Sequence, residues 1–214
     1  MRLLALTPIH VPDAEVARRQ ARYDAIAPAG VAVVVRRPDG DLPRELASAS
    51  DVEASDAALL AAYAAEPAGD WDGFLPDCVL DPAVHAAAAL PVPIHGIGRL
   101  AMHALAGAGL VWRGVARNEP IARELDRLAA HYGVATDGPA TVLSLSVEEI
   151  ADDAGWGRAL AAAVADLGCD AVLNGCSAVD VRARGRGPAV VDPTALALRV
   201  LADVSGVRVL EGTA

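Results

Sequence analysis

The pattern that most constrains the fold is a regular alternation of short apolar runs with longer, Ala-rich amphipathic segments. Such alternation is typical of βαβ units, in which helices cover a sheet of parallel strands. The sequence therefore predicts an α/β fold. The predicted strands cover residues 2–6, 30–37, 71–76, 91–95, 110–116, 141–146, 170–175 and 188–192, and the predicted helices cover residues 13–27, 51–65, 82–90, 96–108, 119–133, 154–167 and 193–204.

The second half of the chain repeats the plan of the first half. We therefore expect two pseudo-symmetric lobes, each a four-stranded, mainly parallel sheet flanked by helices, with an active site in the cleft between them. The first lobe is predicted to span 1–95 together with the C-terminal helix 193–205, which returns to it, and the second lobe to span 96–192. A polar segment at 38–50 is expected to form a loop that covers a site.

The charge balance limits the classes of partner. The chain carries 28 acidic against 18 basic residues, a formal net charge of −10 at pH 7. This excess argues against nucleic acid or an anionic membrane as a partner. No apolar run approaches the roughly 20 residues that span a bilayer, and the N-terminus has no secretion-signal pattern. We therefore expect a cytoplasmic protein with a small-molecule substrate, and leave open whether it forms a homo-oligomer.

The cysteines occupy distinctive places. Cys78, Cys169 and Cys176 have no CxxC spacing, so neither a disulfide framework nor a zinc ribbon is indicated. An apolar strand ends at Cys78 in the first half and another ends at Cys176 in the second half. Because ligands bind at the carboxyl ends of parallel strands, we expect Cys78 and Cys176 to face each other across the cleft. Cys169 precedes its strand and is expected to be structural.

Two opposed thiols suit removal and return of a proton at a carbon beside a carbonyl, because one takes the proton from one face and the other supplies it on the opposite face. A helix opened by Asp81-Pro82 would place Cys78 at a helix N-terminus, where the thiol pKa is lowered. Such chemistry requires no metal and no organic cofactor. The developing enolate would be stabilised by backbone N–H groups after the cysteines, at Val79, Leu80 and Ser177.

Four segments together resemble a known family: Cys78-x-x-Asp81-Pro82, PVPIHGIGRLAMHAL (91–105), LNGCSAV (173–179) and PAVVDPTALALRVL (188–201). Their order and spacing are similar to those of the aspartate/glutamate/hydantoin racemase superfamily, in particular of hydantoin racemase-like members. The resemblance implies two four-stranded α/β lobes with a cleft between them. It also implies that the cysteine pair performs cofactor-independent proton transfer.

The same resemblance implies substrate contacts. The turn Thr7-Pro8-Ile9 stands where family members close a proline-containing turn over the substrate, although Ile9 departs from the usual polar pattern. Asn118 follows the middle strand, where the family often has Thr or Ser. Ser177 and Ala178 follow the second cysteine and match the family pattern only in part. These departures leave the proton-transfer residues intact and the substrate undefined.

Two short motifs have competing interpretations. GIGRLA (96–101) fits a GxGxxA dinucleotide fingerprint, but it lies in mid-chain after a strand with two prolines. We interpret its glycines as a tight turn with close helix packing. Cys176 and Arg182 have the spacing of a cysteine phosphatase loop, but the segment between them lacks the glycines that such a loop favours.

Two polar clusters also have simple interpretations. Cys78, Asp81 and His85 would share one helical turn, but a structural zinc site needs a fourth ligand, so we predict no metal site. The simpler interpretation is that Asp81 caps a helix and His85 lies on its surface. The basic loop Arg182–Arg186 is either solvated or steers a carboxylate substrate into the cleft.

The sequence thus predicts a cofactor-independent racemase or epimerase, an isomerase that acts on an amino-acid derivative, a hydantoin or a related small acid. Two alternatives stay open. The same scaffold could run a maleate cis-trans isomerase-like or decarboxylase-like lyase reaction, in which a single cysteine suffices. It could also be a non-catalytic small-molecule-binding module, for which substitution of the cysteines would change nothing.

Overall fold

The apolar runs form two parallel sheets in the computed structural model of the chain, which describes residues 1–146, 149, 153–181 and 187–205. The strands are β1 Arg2–Leu6, β2 Ala32–Arg36, β3 Gly73–Phe74, β4 Trp112–Ala116, β5 Thr141–Val142, β6 Ala171–Asn174 and β7 Ala189–Val191. The helices are α1 Asp13–Ile26, α2 Ala49–Ala64, α3 Ile97–Gly107, α4 Glu119–His131, α5 Asp153–Val164 and α6 Pro193–Ser205. The predicted α/β class is confirmed.

Each sheet has its most buried strands in its middle. The first sheet has the order β2-β1-β3 and the second the order β5-β4-β6-β7, with every pair parallel. All residues of β1 after Arg2 are buried, and β6 is buried throughout. Continuous burial is expected of parallel strands that helices cover on both faces.

The first sheet has three strands, so the prediction of a fourth strand at 91–95 is wrong. That segment meets the sheet at a single bridge between Phe74 and Ile94. Two hydrogen bonds flank the bridge, Phe74 N to Pro93 O at 2.8 Å and His95 N to Phe74 O at 2.8 Å. Pro91 and Pro93 have no N–H to donate, so the ladder cannot be extended through this segment.

The helix predicted at 82–90 is also different from expectation. A 3-10 helix covers Val84–Ala89, and the two residues Asp81 and Ala83 before it have φ of 52° and 65°. Both values lie in the left-handed region, which an α-helix cannot include. Cys78 is therefore followed by an irregular turn, and the prediction that it lies at the N-terminus of an α-helix is wrong.

The helices around the cleft begin at capping residues. Ser48 Oγ accepts from Asp51 N at 3.2 Å at the start of α2, and Asn118 Oδ1 accepts from Ile121 N at 3.1 Å at the start of α4. Both caps satisfy N–H groups that have no partner within the helix. They fix where each helix begins beside the cleft.

The C-terminal helix α6 packs with the first sheet. Its residues Ala197, Leu198 and Leu201 are buried in the same apolar cluster as Leu3 and Ala5 of β1. The division of the chain into lobes at 95/96 remains a prediction. In the described part of the chain, no helix is long and apolar enough to cross a membrane.

Candidate active site

Cys78 and Cys176 line one cavity of about 290 Å³ between the carboxyl ends of the two sheets. Their loops are joined directly, because Ser177 Oγ donates to the backbone oxygen of Asp77 at 2.9 Å. The cavity thus collects residues from both halves of the chain. The predicted site residues that line it are Pro8, Ile9, Cys78, Val79, Leu80, Cys176, Ser177 and Ala178.

Cys78 is positioned by the continuation of β3 beside β1. Leu75 N donates to Leu4 O at 2.9 Å and Asp77 N donates to Leu6 O at 3.0 Å, so the chain remains parallel to β1 beyond the strand itself. It then turns, with Cys78 N donating to Pro76 O at 2.7 Å. The thiol therefore lies just past the carboxyl end of β3, which pairs with the central strand β1, and its residue is only 7% exposed.

Cys176 occupies the corresponding place after β6. Gly175 N donates to Val115 O at 2.7 Å, and a Cβ atom at residue 175 would overlap that same carbonyl oxygen. Only glycine allows this close approach of β4 and the loop. The Asn174 side chain then donates from Nδ2 to Cys176 O at 2.8 Å, which fixes the backbone at the cysteine.

The thiols have matching hydrogen bonds. The backbone N–H two residues further along the chain donates to each sulfur, from Leu80 to Cys78 and from Ala178 to Cys176. In both loops an amide therefore points toward the sulfur and favours its anionic form. The two cysteine loops share this feature although they come from different sheets.

Burial nevertheless raises the pKa of both thiols. For Cys78, burial is reinforced by the charges of Asp77 and Asp81, and the Leu80 N–H only partly opposes the rise in pKa. For Cys176, burial also raises the pKa, and the Ala178 N–H and the charge of Arg19 oppose the rise. The prediction that the thiol pKa of Cys78 is lowered is therefore wrong, because desolvation outweighs the amide contact.

A buried ion-pair network that sequence reasoning missed lies behind the cysteines. Asp77, which is 1% exposed, accepts from Arg19 Nη1 at 2.6 Å and from Tyr23 OH at 2.9 Å. Arg19 Nε also donates to Glu15 at 2.8 Å. The available signal was the Glu15 to Arg19 spacing on α1, which brings both side chains to one helix face. Nothing in the sequence indicates that Asp77 completes the pair.

The cavity wall is cationic although the protein is acidic. Arg18, Arg19, Arg44 and Arg117 line it, against Glu15 and Asp77 as the acidic lining residues. The predicted covering loop contributes Arg44 and Leu46, and Arg117 holds the loop through a 3.3 Å contact with Glu45. This excess of positive charge favours an anionic or enolate-forming ligand.

The side chains of Thr7 and Asn118 make hydrogen bonds outside the cavity. Thr7 is fully buried, and its Oγ1 donates to Ile9 O at 3.1 Å, so it shapes the turn that carries Pro8 and Ile9 to the cavity. Asn118 caps α4 and donates from Nδ2 to Leu46 O at 2.8 Å. Neither residue is among the side chains that line the cavity, and their direct contact with substrate remains a prediction.

The other motifs lie away from this cavity. Gly96 and Gly98 pack closely against the Cys78 turn, in agreement with the interpretation of GIGRLA as a site of close packing. Cys169 is buried and is not among the residues that line the cavity. The His85 side chain is 60% exposed, and no group of three or more potential metal ligands occurs in the described part of the chain. The loop Arg182–Arg186 lies outside the described residues.

The comparisons with known proteins bear on the fold. Neither a protein-family model nor a curated protein matches the sequence. An allantoin racemase from Klebsiella pneumoniae is 19% identical with a TM-score of 0.75, and the match covers 96% of this chain and 87% of that one. An allantoin racemase from Pseudomonas fluorescens is 15% identical with a TM-score of 0.80, covering 96% and 91%. The chain has the fold of the Asp/Glu/hydantoin racemase superfamily.

The fold expected from the sequence resemblance is thus confirmed, and it is common to several reactions. A maleate isomerase variant from Pseudomonas putida S16 is 14% identical with a TM-score of 0.60, covering 96% of this chain and 92% of that one. Racemases, arylmalonate decarboxylase and maleate isomerase share this fold. Because one fold hosts several functions, the reaction has to be argued from the site.

Proposed function

We propose that the protein is a cofactor-independent racemase or epimerase in which Cys78 and Cys176 are the two acid/base catalysts. The observation that carries the proposal is that both cysteines, from equivalent positions after β3 and β6, line the same cavity. Each sulfur also accepts an N–H from the residue two positions on. A substrate held in this cavity would have a thiol on either side of its reacting carbon.

The proposed reaction transfers one proton at each thiol. The thiolate of one cysteine removes the proton from the carbon beside the carbonyl, so that a C–H bond breaks and an S–H bond forms. The electron pair moves onto the carbonyl oxygen as an enolate. The opposite thiol then protonates the carbon on the other face and becomes the thiolate, so the overall number of protons is unchanged.

The surrounding charges favour Cys176 as the starting base. The charge of Asp77 raises the pKa of both thiols, but Arg19 and Arg22 oppose the rise at Cys176, whereas Asp81 adds to the rise at Cys78. We therefore assign the first ionisation to Cys176 and keep Cys78 as the protonated thiol. Backbone N–H groups at Val79 and Ser177 are the proposed donors to the enolate oxygen.

The cavity suits a small substrate with an apolar part. Its volume of about 290 Å³ is at the lower end of the range for small-molecule sites. Apolar side chains of Ile9, Val11, Leu46 and Ile121 line it beside the cationic groups. We propose an amino-acid derivative, a hydantoin or a related small acid as the substrate class, with a cytoplasmic location and with no metal or organic cofactor.

A second candidate is a lyase or cis-trans isomerase reaction on the same scaffold. The unequal surroundings of the thiols support it, because a reaction that needs one thiolate would use Cys176 alone. In a maleate isomerase-like reaction that thiolate would attack carbon, and the covalent adduct would be detectable by mass spectrometry. A non-catalytic binding module is the remaining alternative.

The test is exchange of substrate hydrogen for deuterium, followed by NMR in heavy water. The panel contains hydantoins, aspartate, glutamate and small dicarboxylic acids, with Cys78→Ser and Cys176→Ser beside the wild type. Cys169→Ser is the matched control, because Cys169 is also buried but does not line the cavity. We expect inversion with exchange that is lost in Cys78→Ser and Cys176→Ser and retained in Cys169→Ser. Turnover that survives Cys78→Ser would contradict the two-thiol mechanism.

A further inference from the structure

The turn that carries Cys78 lies between two cavities. Cys78 and Leu80 line the cavity of about 290 Å³ and also a second cavity of about 730 Å³ on the other side. Asp81 lines only the second one. Cys78, Val79 and Leu80 also belong to an apolar cluster, but where the turn faces open space its position depends on polar contacts.

Asp81 supplies those contacts. It is 4% exposed, and its own N–H donates to Cys78 O at 3.3 Å, which closes the turn. Its carboxylate accepts from Gly98 N at 2.8 Å and from Arg99 N at 2.6 Å, both in the first turn of α3. It also accepts from Tyr132 OH at 2.9 Å, at the end of α4. Two helices therefore hold one carboxylate.

The GIG sequence at 96–98 is shaped to receive this carboxylate. A Cβ atom at Gly96 would lie 2.5 Å from Asp81 Oδ2, and a Cβ atom at Gly98 would overlap the Val79 carbonyl oxygen. Any side chain at either position would push the turn away from α3. The motif thus makes room for the cysteine turn at a helix N-terminus, where a carboxylate is stabilised by the free N–H groups.

We propose that Asp81 is a positioning residue that fixes the Cys78–Leu80 turn, so that the Cys78 sulfur faces the substrate cavity and the Leu80 N–H faces the sulfur. The part of this proposal that concerns catalysis rests on the proposed function. Asp81 itself touches neither cysteine sulfur nor the substrate cavity in this arrangement. It acts through the backbone of the turn, and the helix α3 is the fixed support.

The test measures the reactivity of Cys78 directly. Wild type, Asp81→Asn and Tyr132→Phe are alkylated with iodoacetamide over a range of pH, and peptide mass spectrometry follows Cys78 and Cys176 separately. Asp126→Asn is the matched control, since Asp126 also accepts a backbone N–H, from Ala140 at 2.9 Å, but lines neither cavity. Circular dichroism and thermal unfolding report whether each variant is folded.

A released turn should expose Cys78. In Asp81→Asn we expect the limiting alkylation rate of Cys78 at high pH to rise about tenfold and that of Cys176 to stay within about twofold. Tyr132→Phe leaves the Asp81 carboxylate in place and removes one bond, so it should raise the same limiting rate about threefold. The limiting rate separates exposure from a change of thiol pKa, which moves only the midpoint of the pH profile.

Several outcomes would overturn the proposal. Unchanged limiting rates at Cys78 in both variants would do so, and so would equal increases at Cys78 and Cys176, which indicate general loosening. If Asp81→Asn does not fold, Tyr132→Phe decides alone. With an active substrate, kcat should fall about tenfold in Asp81→Asn and KM should change less than threefold. Because alkylation needs no substrate, failure of the racemase proposal would leave this test intact.

Discussion

Substitution of Asp77, which pairs with Arg19 in the interior, should lower the stability of the fold and make the two cysteine thiols more acidic. The Asp77 carboxylate is 1% exposed and holds Arg19 Nη1 at 2.6 Å and Tyr23 OH at 2.9 Å. Asp77→Asn keeps the shape of the side chain and removes its charge. Arg19 is then left buried with Glu15 as its remaining acidic partner, at 2.8 Å.

The expected cost in stability follows from that geometry. Removing one member of a buried ion pair typically costs about 3–5 kcal/mol, and the remaining Glu15 contact places the expected loss at about 3 kcal/mol. For a chain of this size that loss lowers Tm by about 6–12 °C. Tyr23→Phe removes only a neutral donor to the same carboxylate and should cost about 1 kcal/mol.

The same substitution should make the thiols more acidic. The charge of Asp77 contributes to the rise in pKa of both Cys78 and Cys176, so its removal should move the midpoint of their alkylation to lower pH. Urea unfolding and calorimetry measure the loss of stability, and alkylation followed by mass spectrometry measures the shift in thiol pKa. A loss of stability in Asp77→Asn no larger than that in Tyr23→Phe would refute the assignment of a buried ion pair.

Three further predictions concern charge in and around the site. Burial raises the pKa of Asp81 to about 6 from 3.8 although Tyr132 and Arg99 face it, so its contribution to stability is full below about pH 4 and is lost as the pH rises through 6. Urea unfolding at several pH values should show the free energy of unfolding of wild type falling by about 3 kcal/mol, relative to Asp81→Asn, between about pH 4 and pH 6. Parallel curves of this free energy against pH would contradict the prediction. Arg44, exposed at the cavity, should bind a substrate carboxylate. Arg44→Gln should therefore raise KM about tenfold for acids and leave KM for neutral hydantoins unchanged. Cys176, the less buried thiol, should be alkylated before Cys78, and equal rates would contradict the proposed order of ionisation.

Local patterns were enough to predict the central strands and the positions of the cysteines after β3 and β6. Continuous apolar runs such as 2–6 and 170–175 become central parallel strands. Such strands are buried on both faces, so their residues are apolar throughout and do not alternate with polar ones. The segment 91–95 was misassigned because its apolar composition suits a strand while its two prolines remove the N–H groups that a ladder needs.

Contacts between distant parts of the chain could not be predicted. The expected helix after Asp81-Pro82 follows a sound local rule, but Asp81 caps α3, more than a dozen residues further along, and takes a left-handed conformation to reach it. The same holds for the pKa of Cys78. A helix N-terminus nearby would lower the pKa, whereas the burial that raises it depends on how the two halves of the chain come together.

The two cysteine loops combine equivalent backbones with unequal charges. Both sulfurs follow a parallel strand, and each accepts an N–H from two residues ahead. The charge of Asp77 disfavours the thiolate at both cysteines, Asp81 adds to this effect at Cys78, and Arg19 and Arg22 favour the thiolate at Cys176. A two-way racemase needs the equivalence, because each thiol must both give and take a proton. In the proposed reaction, the inequality would set which thiol ionises first, and therefore which enantiomer is deprotonated first.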